Sequence, residues 1–340
     1  MTFALLTQLL QQNPSETLWI ADENSKPLLV QGVDFRGDLL TNRWDIAKLS
    51  EHQTARTFFN DFRIDELSRR YRSVVYPLSK EKAVVHHIIN CCPSMLGQGG
   101  ELKMLGSKRS GIKSYASKSA AYFGSAPQLR KCGSDYISVS LFNSDAELGK
   151  TLDGDNYPEL RKPPALGGLI SKPGQFGWDK VDIGSDLLAT QFEQYLPPTG
   201  ARIVDLGCGY GYLSSRLKKL GNFHITATDN NAAALLACER NFKLLEIEGV
   251  VVPSDAGADL EANIADFLVC NPPFHQGFQV EGDLTDRFLK QSARLLCDRG
   301  QALFVVNEFI PLARKAKQFY AEVKLLCKAQ GFCVYRLTNH

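Results

Sequence analysis

Apolar residues in the second half of the chain fall into short runs separated by amphipathic stretches. ARIVDLG, HITATD, EGVVVPSD, ADFLVCN and QALFVVNEF read as strands, and YLSSRLKKLG, AAALLACERNFKLL and DLTDRFLKQSARLLC read as the helices between them. Strands alternating with helices imply right-handed crossovers and a mostly parallel, doubly wound α/β sheet. A weaker copy of the pattern occupies the first half. TLWIAD, RTFFND and SVVYPLSK are strand-like, and helix-like EKAVVHHIINCC is followed by GQGG and strand-like ELKMLG. FLVCNPPF, TDRFLKQSARLLC, DRG and ALFVVNEF follow in the same order downstream, which predicts an internal duplication. The first half lacks a glycine cluster after its opening strand and has YPLS where the second has NPPF. One half is expected to keep a ligand apparatus and the other only its scaffold.

With 340 residues, two compact units are the expectation. The stretch from Asp145 to Gly177 is rich in Gly, Pro and Asp and lacks a helical or strand period, so the boundary belongs there. This gives a first domain over 1–150, a linker over 151–170 and a second domain over 171–340. The composition, 44% hydrophobic and 22% charged, excludes wholesale disorder, and the net charge of +2 is uninformative by itself. Nine cysteines without a CxxC pair or zinc-type spacing predict reduced thiols and no metal site. MTFALLTQLLQQ reads as an amphipathic helix and not as a signal peptide, and no segment approaches the roughly 18 apolar residues of a membrane span. A cytoplasmic, monomeric protein without a membrane partner is expected.

The strongest local signal is VDLGCGYGYLSSRL, residues 204–217, where a strand ends at Asp205 and Gly207, Gly209 and Gly211 precede a helix. Such a turn lets a ligand lie against bare backbone, and the helix start offers free N–H groups. About one βα unit later Asp229 ends HITATD, a position suited to gripping a ribose diol. A dinucleotide fingerprint would read GxGxxG; here the spacing is GxGxG and the turn has no basic residue.

LVCNPPF places Asn271, Pro272, Pro273 and Phe274 at the end of a later apolar strand. Prolines carry no N–H, so this corner is rich in acceptors and poor in donors. It suits a ligand that brings its own N–H groups. His275, His86 and His87 receive no catalytic role. In PGQFGWDKVDIGSDLL, Asp182 and Ser185 are good N-cap types, and Phe176 is a candidate for an aromatic loop over the ligand. Basic residues gather at Lys103, Lys108, Arg109, Lys113, Lys118, Arg130 and Lys131, and again at Arg314, Lys315, Lys317, Lys324, Lys328 and Arg336. Such sets suit nucleic-acid phosphates.

DLGCGYG resembles the first motif of S-adenosylmethionine-dependent methyltransferases, and NPPF resembles the (N/D/S)PP(Y/F/W) motif of those that modify amino groups on planar systems. With PGQFGWDKVDIGSDLL, VVNEFIP, FCVYRL, GSKRSGIKS and LRKCGSDY, nearly the whole chain resembles the bacterial ribosomal RNA guanine-N2 methyltransferases of the small-subunit type C family, with the large-subunit type G enzymes close behind. The resemblance implies two tandem Rossmann-like methyltransferase domains, the first degenerate and serving RNA binding and support, the second catalytic. It implies S-adenosylmethionine as cofactor, held by Asp205, Gly207, Cys208, Gly209, Gly211, Asp229, Asn230, Asp255 and Asn271. It makes Asn271, Pro272, Pro273 and Phe274 the catalytic strip, with Phe176, Lys108, Arg109 and Lys113 on the substrate side. The implied substrate is a guanine N2 amine of 16S rRNA, within the 30S subunit or an assembly intermediate. Methylation of 23S rRNA guanine, of adenine or of a glutamine amide remains open, as do a nicotinamide dehydrogenase and a non-catalytic RNA-binding factor.

Overall fold

A computed structural model describes residues 3–273 and 278–339, so Phe274 and His275 lie outside the described residues. The chain divides into two units, Met1–Glu159 and Leu160–His340. The first contains strands β1 (Thr17–Ala21), β2 (Phe35–Thr41), β3 (Thr54–Phe59), β4 (Tyr71–Pro77), β5 (Leu96–Ser107), β6 (Gln128–Cys132) and β7 (Asp135–Leu141). The second contains β8 (Arg202–Leu206), β9 (His224–Asp229), β10 (Gly249–Pro253), β11 (Ala265–Cys270), β12 (Leu296–Asn307), β13 (Glu322–Ala329) and β14 (Phe332–Thr338).

Each unit forms one seven-stranded sheet with the same connectivity, β3-β2-β1-β4-β5-β7-β6 and β10-β9-β8-β11-β12-β14-β13. The fold class is α/β with two tandem Rossmann-like units. The central strands are parallel, and an antiparallel pair closes one edge. In the second unit that pair, β13 and β14, turns through Gln330 and Gly331, both at positive φ, the twist a tight hairpin demands. Apolar side chains of β11 alternate between faces: Phe267 and Val269 join one buried cluster, Leu268 and Cys270 the other. Both faces of the sheet are therefore covered, as parallel strands require. Residues 151–170 divide between the units: Tyr157 belongs to the first unit's core, whereas Leu166 and Leu169 pack with Tyr210 and Ala237 in the second. Among the described residues, no helix is long and apolar enough to cross a membrane.

The duplication extends to register. β5 and β12 are equally long and share one burial pattern, so Leu96 lies where Leu296 does. Tyr76 pairs with Met104 and Cys270 with Phe304, which sets Pro77, not Tyr76, at the place of Asn271. This corrects the alignment of YPLS with NPPF by one residue. By the same reasoning Trp19, beside Val75, stands where Asp205 stands beside Val269. Thr41 takes the place of Asp229. A fully buried indole, a hydroxyl and a proline thus replace the three polar groups that end β8, β9 and β11 in the second unit.

The strand order of the second unit reverses between β8 and β11, and the crevice at such a switch point is where open α/β sheets hold ligands. The glycine loop follows β8, and Asn271 follows β11. Asp229 is carried there by β9, whose outer neighbour begins at Gly249. Gly249 has φ +150°, and a Cβ on it would lie 1.9 Å from the Ile225 carbonyl oxygen. Gly249→Ala is expected to destabilise the protein by roughly 2–4 kcal/mol through forced separation of β9 and β10; denaturant unfolding checks this, and an unchanged midpoint would contradict the tight pairing.

Candidate active site

The turn after β8 is built from backbone hydrogen bonds. Gly207 and Cys208 donate their N–H groups to the Thr228 carbonyl at 2.8 and 3.0 Å, and Gly211 donates to the Cys208 carbonyl at 2.8 Å. Gly211 lies at φ +85°, and a Cβ there would meet the Cys238 sulfur at 2.9 Å, so only glycine fits. A Cβ on Gly209 would meet nothing within 4 Å, so the loop is open above this residue. Cys208 itself is buried, and burial pushes its thiol well above the usual range. It is packing, not a nucleophile.

Asp229 ends β9 half-buried. One carboxylate oxygen accepts from Gly209 N–H at 3.0 Å and the other from Asn231 N–H at 2.9 Å. These bonds fix the carboxylate at the lip of the glycine loop. Asn230 is half-buried beside it. Asp205 is fully buried; its Oδ2 accepts from Ser214 N–H at 3.0 Å and from Ser214 Oγ at 2.6 Å. Its Oδ1 is buried without a hydrogen-bond partner among the described residues. Burial raises this carboxyl to about 6, opposed by the two Ser214 bonds and helped by the charge of Asp229.

Asn271, at the end of β11, has a determined orientation. Its Nδ2 donates to Asp182 Oδ2 at 2.7 Å and to Ser185 Oγ at 2.8 Å. A carboxylate accepts and does not donate, so the NH2 end of the amide must face Asp182 and the oxygen must face away. Asp182 is meanwhile the N-cap of helix Ile183–Ala189, accepting from Ser185 N–H at 2.8 Å. The capping expected from the sequence is present, and the same carboxylate also holds Asn271. Pro272 is buried and Pro273 exposed.

Asp255, after β10, is not an isolated acceptor: Arg287 Nη1 lies 2.5 Å from its Oδ2. Nothing local in the sequence predicted this partner, which sits on helix Phe278–Leu295. The loop carrying Phe176 is tied to the β9 corner, where Asn231 Nδ2 donates to the Gly174 carbonyl at 2.8 Å. Phe176 itself is 62% exposed.

The basic residues separate into two groups. Lys108, Arg109, Lys113, Arg130 and Lys131 are exposed on the first unit, and among the described residues none forms a salt bridge. Lys103 is not part of that surface. It is buried and held by Gln12 and Glu101. The C-terminal set is partly neutralised, because Lys315 pairs with Asp286, Lys328 with Glu308, and Arg336 bonds Gln301.

A glycine turn, a carboxylate at its lip and an oriented amide on one sheet edge define a Rossmann-like transferase site for a nucleoside-type cofactor. The chain belongs to the methyltransferase small domain family: that profile matches residues 167–336, and the profile of the methyltransferase small domain N-terminal region matches 6–133. Ribosomal RNA small subunit methyltransferase C of Mannheimia succiniciproducens is 28% identical over 268 residues, 77% of each chain. The protein of the same name from Aliivibrio salmonicida is 28% identical over 296 residues, 87% of this chain and 85% of its own. The solved structure of the T. Thermophilus 16S rRNA N2 G1207 methyltransferase, in complex with AdoMet and guanosine, superimposes with a TM-score of 0.79 at 22% identity, covering 98% of this chain and 91% of its own. It shows a shared fold.

Asp205 gives a pH test. Its carboxyl titrates near 6 folded against 3.8 as the ordinary value, so between those values the folded chain holds a proton that the unfolded chain has released. Stability from this group is therefore fullest below the lower value and lost as pH rises through the higher one. Asp205→Asn should flatten that slope and gain on the order of 2–3 kcal/mol relative to the parent between pH 4 and 7; parallel pH profiles in urea unfolding would contradict a buried, proton-holding Asp205.

Proposed function

We propose that this protein transfers the methyl group of S-adenosylmethionine to the exocyclic N2 amine of a guanine in 16S rRNA. The orientation of Asn271 is the single observation that carries the reading. With Nδ2 held by Asp182 and Ser185, its Oδ1 and the neighbouring Pro272 carbonyl are left as acceptors for the two hydrogens of an amine. A guanine N2 is a weak nucleophile because its lone pair is delocalised into the ring. Two acceptors in fixed positions align the nitrogen and favour its pyramidal form, so no strong base is required, and the spare proton leaves after transfer. In this reading Phe274, outside the described residues, stacks on the base.

The cofactor fits the residues present. It supplies an electrophilic methyl group on a sulfonium. Asp229 accepts from ribose hydroxyls, the open backbone at Gly209 takes the methionine end, and the unpartnered Asp205 Oδ1 is an acceptor for its ammonium. Asp255, already bonded to Arg287, is the residue the family resemblance assigns to an adenine amino group. The substrate assignment draws on the named relatives, methyltransferases of small-subunit rRNA, and on the unpaired cations of the first unit, since Lys and Arg contacts to phosphate dominate RNA affinity. The target base must leave its stack, which costs a few kcal/mol and favours an open 30S subunit or assembly intermediate. The enzyme acts as a monomer in the cytoplasm.

Asn271→Ala should lower kcat by about 10²–10³, the scale of losing one acceptor or donor realised in the transition state, with cofactor affinity retained in calorimetry. Asp182→Ala, which releases the amide, should lower kcat by about tenfold to a hundredfold with KM for the cofactor unchanged. Loss of cofactor binding in either variant would contradict the assigned roles. The substrate is tested by mass spectrometry of rRNA from cells with and without the gene. One 16S guanosine should lose an N2-methyl group; loss from 23S rRNA, or an unchanged profile, would overturn the assignment.

A further inference from the structure

The first unit retains one residue of the constellation found in the second. The register that sets Thr41 at the place of Asp229 also pairs Thr41 with Phe59 as Asp229 pairs with Pro253, which sets Asp61 at the place of Asp255. The backbone agrees. Asn60 N–H donates to the Thr41 carbonyl at 3.1 Å, as Ser254 N–H does to the Asp229 carbonyl at 3.0 Å. The residue after each aspartate has a positive φ, 51° at Phe62 and 53° at Ala256. Laying Leu96 on Leu296 likewise sets His87, on helix Lys82–Met95, at the place of Arg287.

This corner of the first unit is filled by the chain itself. The Tyr157 hydroxyl donates to Asp61 Oδ1 at 2.5 Å, and Asn42, beside Thr41, bonds the same hydroxyl. The Tyr157 ring stacks on the His87 imidazole with centroids 4.8 Å apart and planes at 29°. It is 1% exposed. Burial, with the Asp61 charge and hydrogen bond added, pushes the phenol well above its usual range, so it stays a neutral donor. The segment leading to it is fastened as well: Asn90 exchanges two hydrogen bonds with Leu152, each 2.8 Å, and His86 Nδ1 meets the Asp153 carbonyl at 2.5 Å.

A flat ring stacked on a heteroaromatic side chain, with one polar hydrogen directed at a carboxylate, is the chemistry of a bound nucleobase. We propose that Tyr157 is a built-in ligand, whose phenol ring fills in the first unit the pocket corresponding to the cofactor's base in the second and so closes that unit to purines. The identity of the mimicked base rests on the proposed role of Asp255; the plug rests on the first unit's own contacts.

The full chain carrying Tyr157→Ala tests this with 4-methylphenol and adenine as probes. Both should bind the variant at one site per chain that the parent lacks, and millimolar 4-methylphenol should restore at least half of the lost melting temperature without affecting the parent. No saturable binding of either probe overturns the proposal, and binding of 4-methylphenol alone overturns its nucleobase half. Should the alanine variant not fold, Tyr157→Phe keeps the ring and removes only the hydroxyl, with its bonds to Asp61 and Asn42. Trypsin cleavage after Lys150 and Arg161 should then quicken about tenfold, the scale of one hydrogen bond to a charged acceptor; unchanged cleavage overturns the anchor. S-adenosylhomocysteine titrated into the parent reads the second unit separately, so its failure to bind refutes the cofactor assignment and not the plug.

Discussion

The side-chain amide of Asn271 is held from one side by a carboxylate and a hydroxyl, and the proposed chemistry of the site depends on that contact. An amide free to rotate would present NH2 and oxygen to a substrate amine with comparable ease, and the NH2 end would repel the hydrogens that the proposed reaction needs it to receive. Asp182 removes the ambiguity because it accepts and does not donate. The carboxylate is fixed in turn by capping helix Ile183–Ala189. One side chain therefore starts a helix and orients an amide far along the chain. β11 brings Asn271 to the edge where the strand order reverses, and the glycine loop of β8 lies on the other side of that crevice.

The two units show what a Rossmann-like scaffold keeps when the polar groups at its strand ends differ. Strand order, the long strand after the last crossover helix and even the positive φ after the third strand are shared. These follow from packing and backbone hydrogen bonding, which the first unit still needs. The polar groups at the strand ends are replaced: Trp19 adds buried apolar area where Asp205 carries a desolvated carboxyl, with its own indole N–H buried and unpartnered among the described residues. The second unit carries that cost where the proposed cofactor's ammonium would need an acceptor.

The fold was largely legible in the sequence because hydrophobic runs and amphipathic stretches alternate, and period is a local property. The edge pairs β6–β7 and β13–β14 were less so. Their strands are short or exposed on one face, and QLRKC offers no apolar alternation. The glycine turn, Asp229 and the proline corner were visible because each is a local cluster of unusual residues. The Asp182–Asn271 and Asp255–Arg287 contacts were not, since they join residues distant in sequence that are individually ordinary as caps or surface charges. Charge runs misled where pairing is tertiary: Lys103 is buried, and Lys315 and Lys328 are matched to acids. The boundary region looked like a linker because it lacks period, yet Tyr157 and Leu166 are core residues on either side of the division.

The account is tested most directly by a high-resolution structure of the protein with S-adenosylhomocysteine and guanosine. It predicts Asn271 Oδ1 and the Pro272 carbonyl oxygen both within hydrogen-bonding distance of the guanine N2, with Asn271 Nδ2 still on Asp182. A guanine whose N2 meets neither oxygen, or an amide turned so that its nitrogen faces the base, would contradict it.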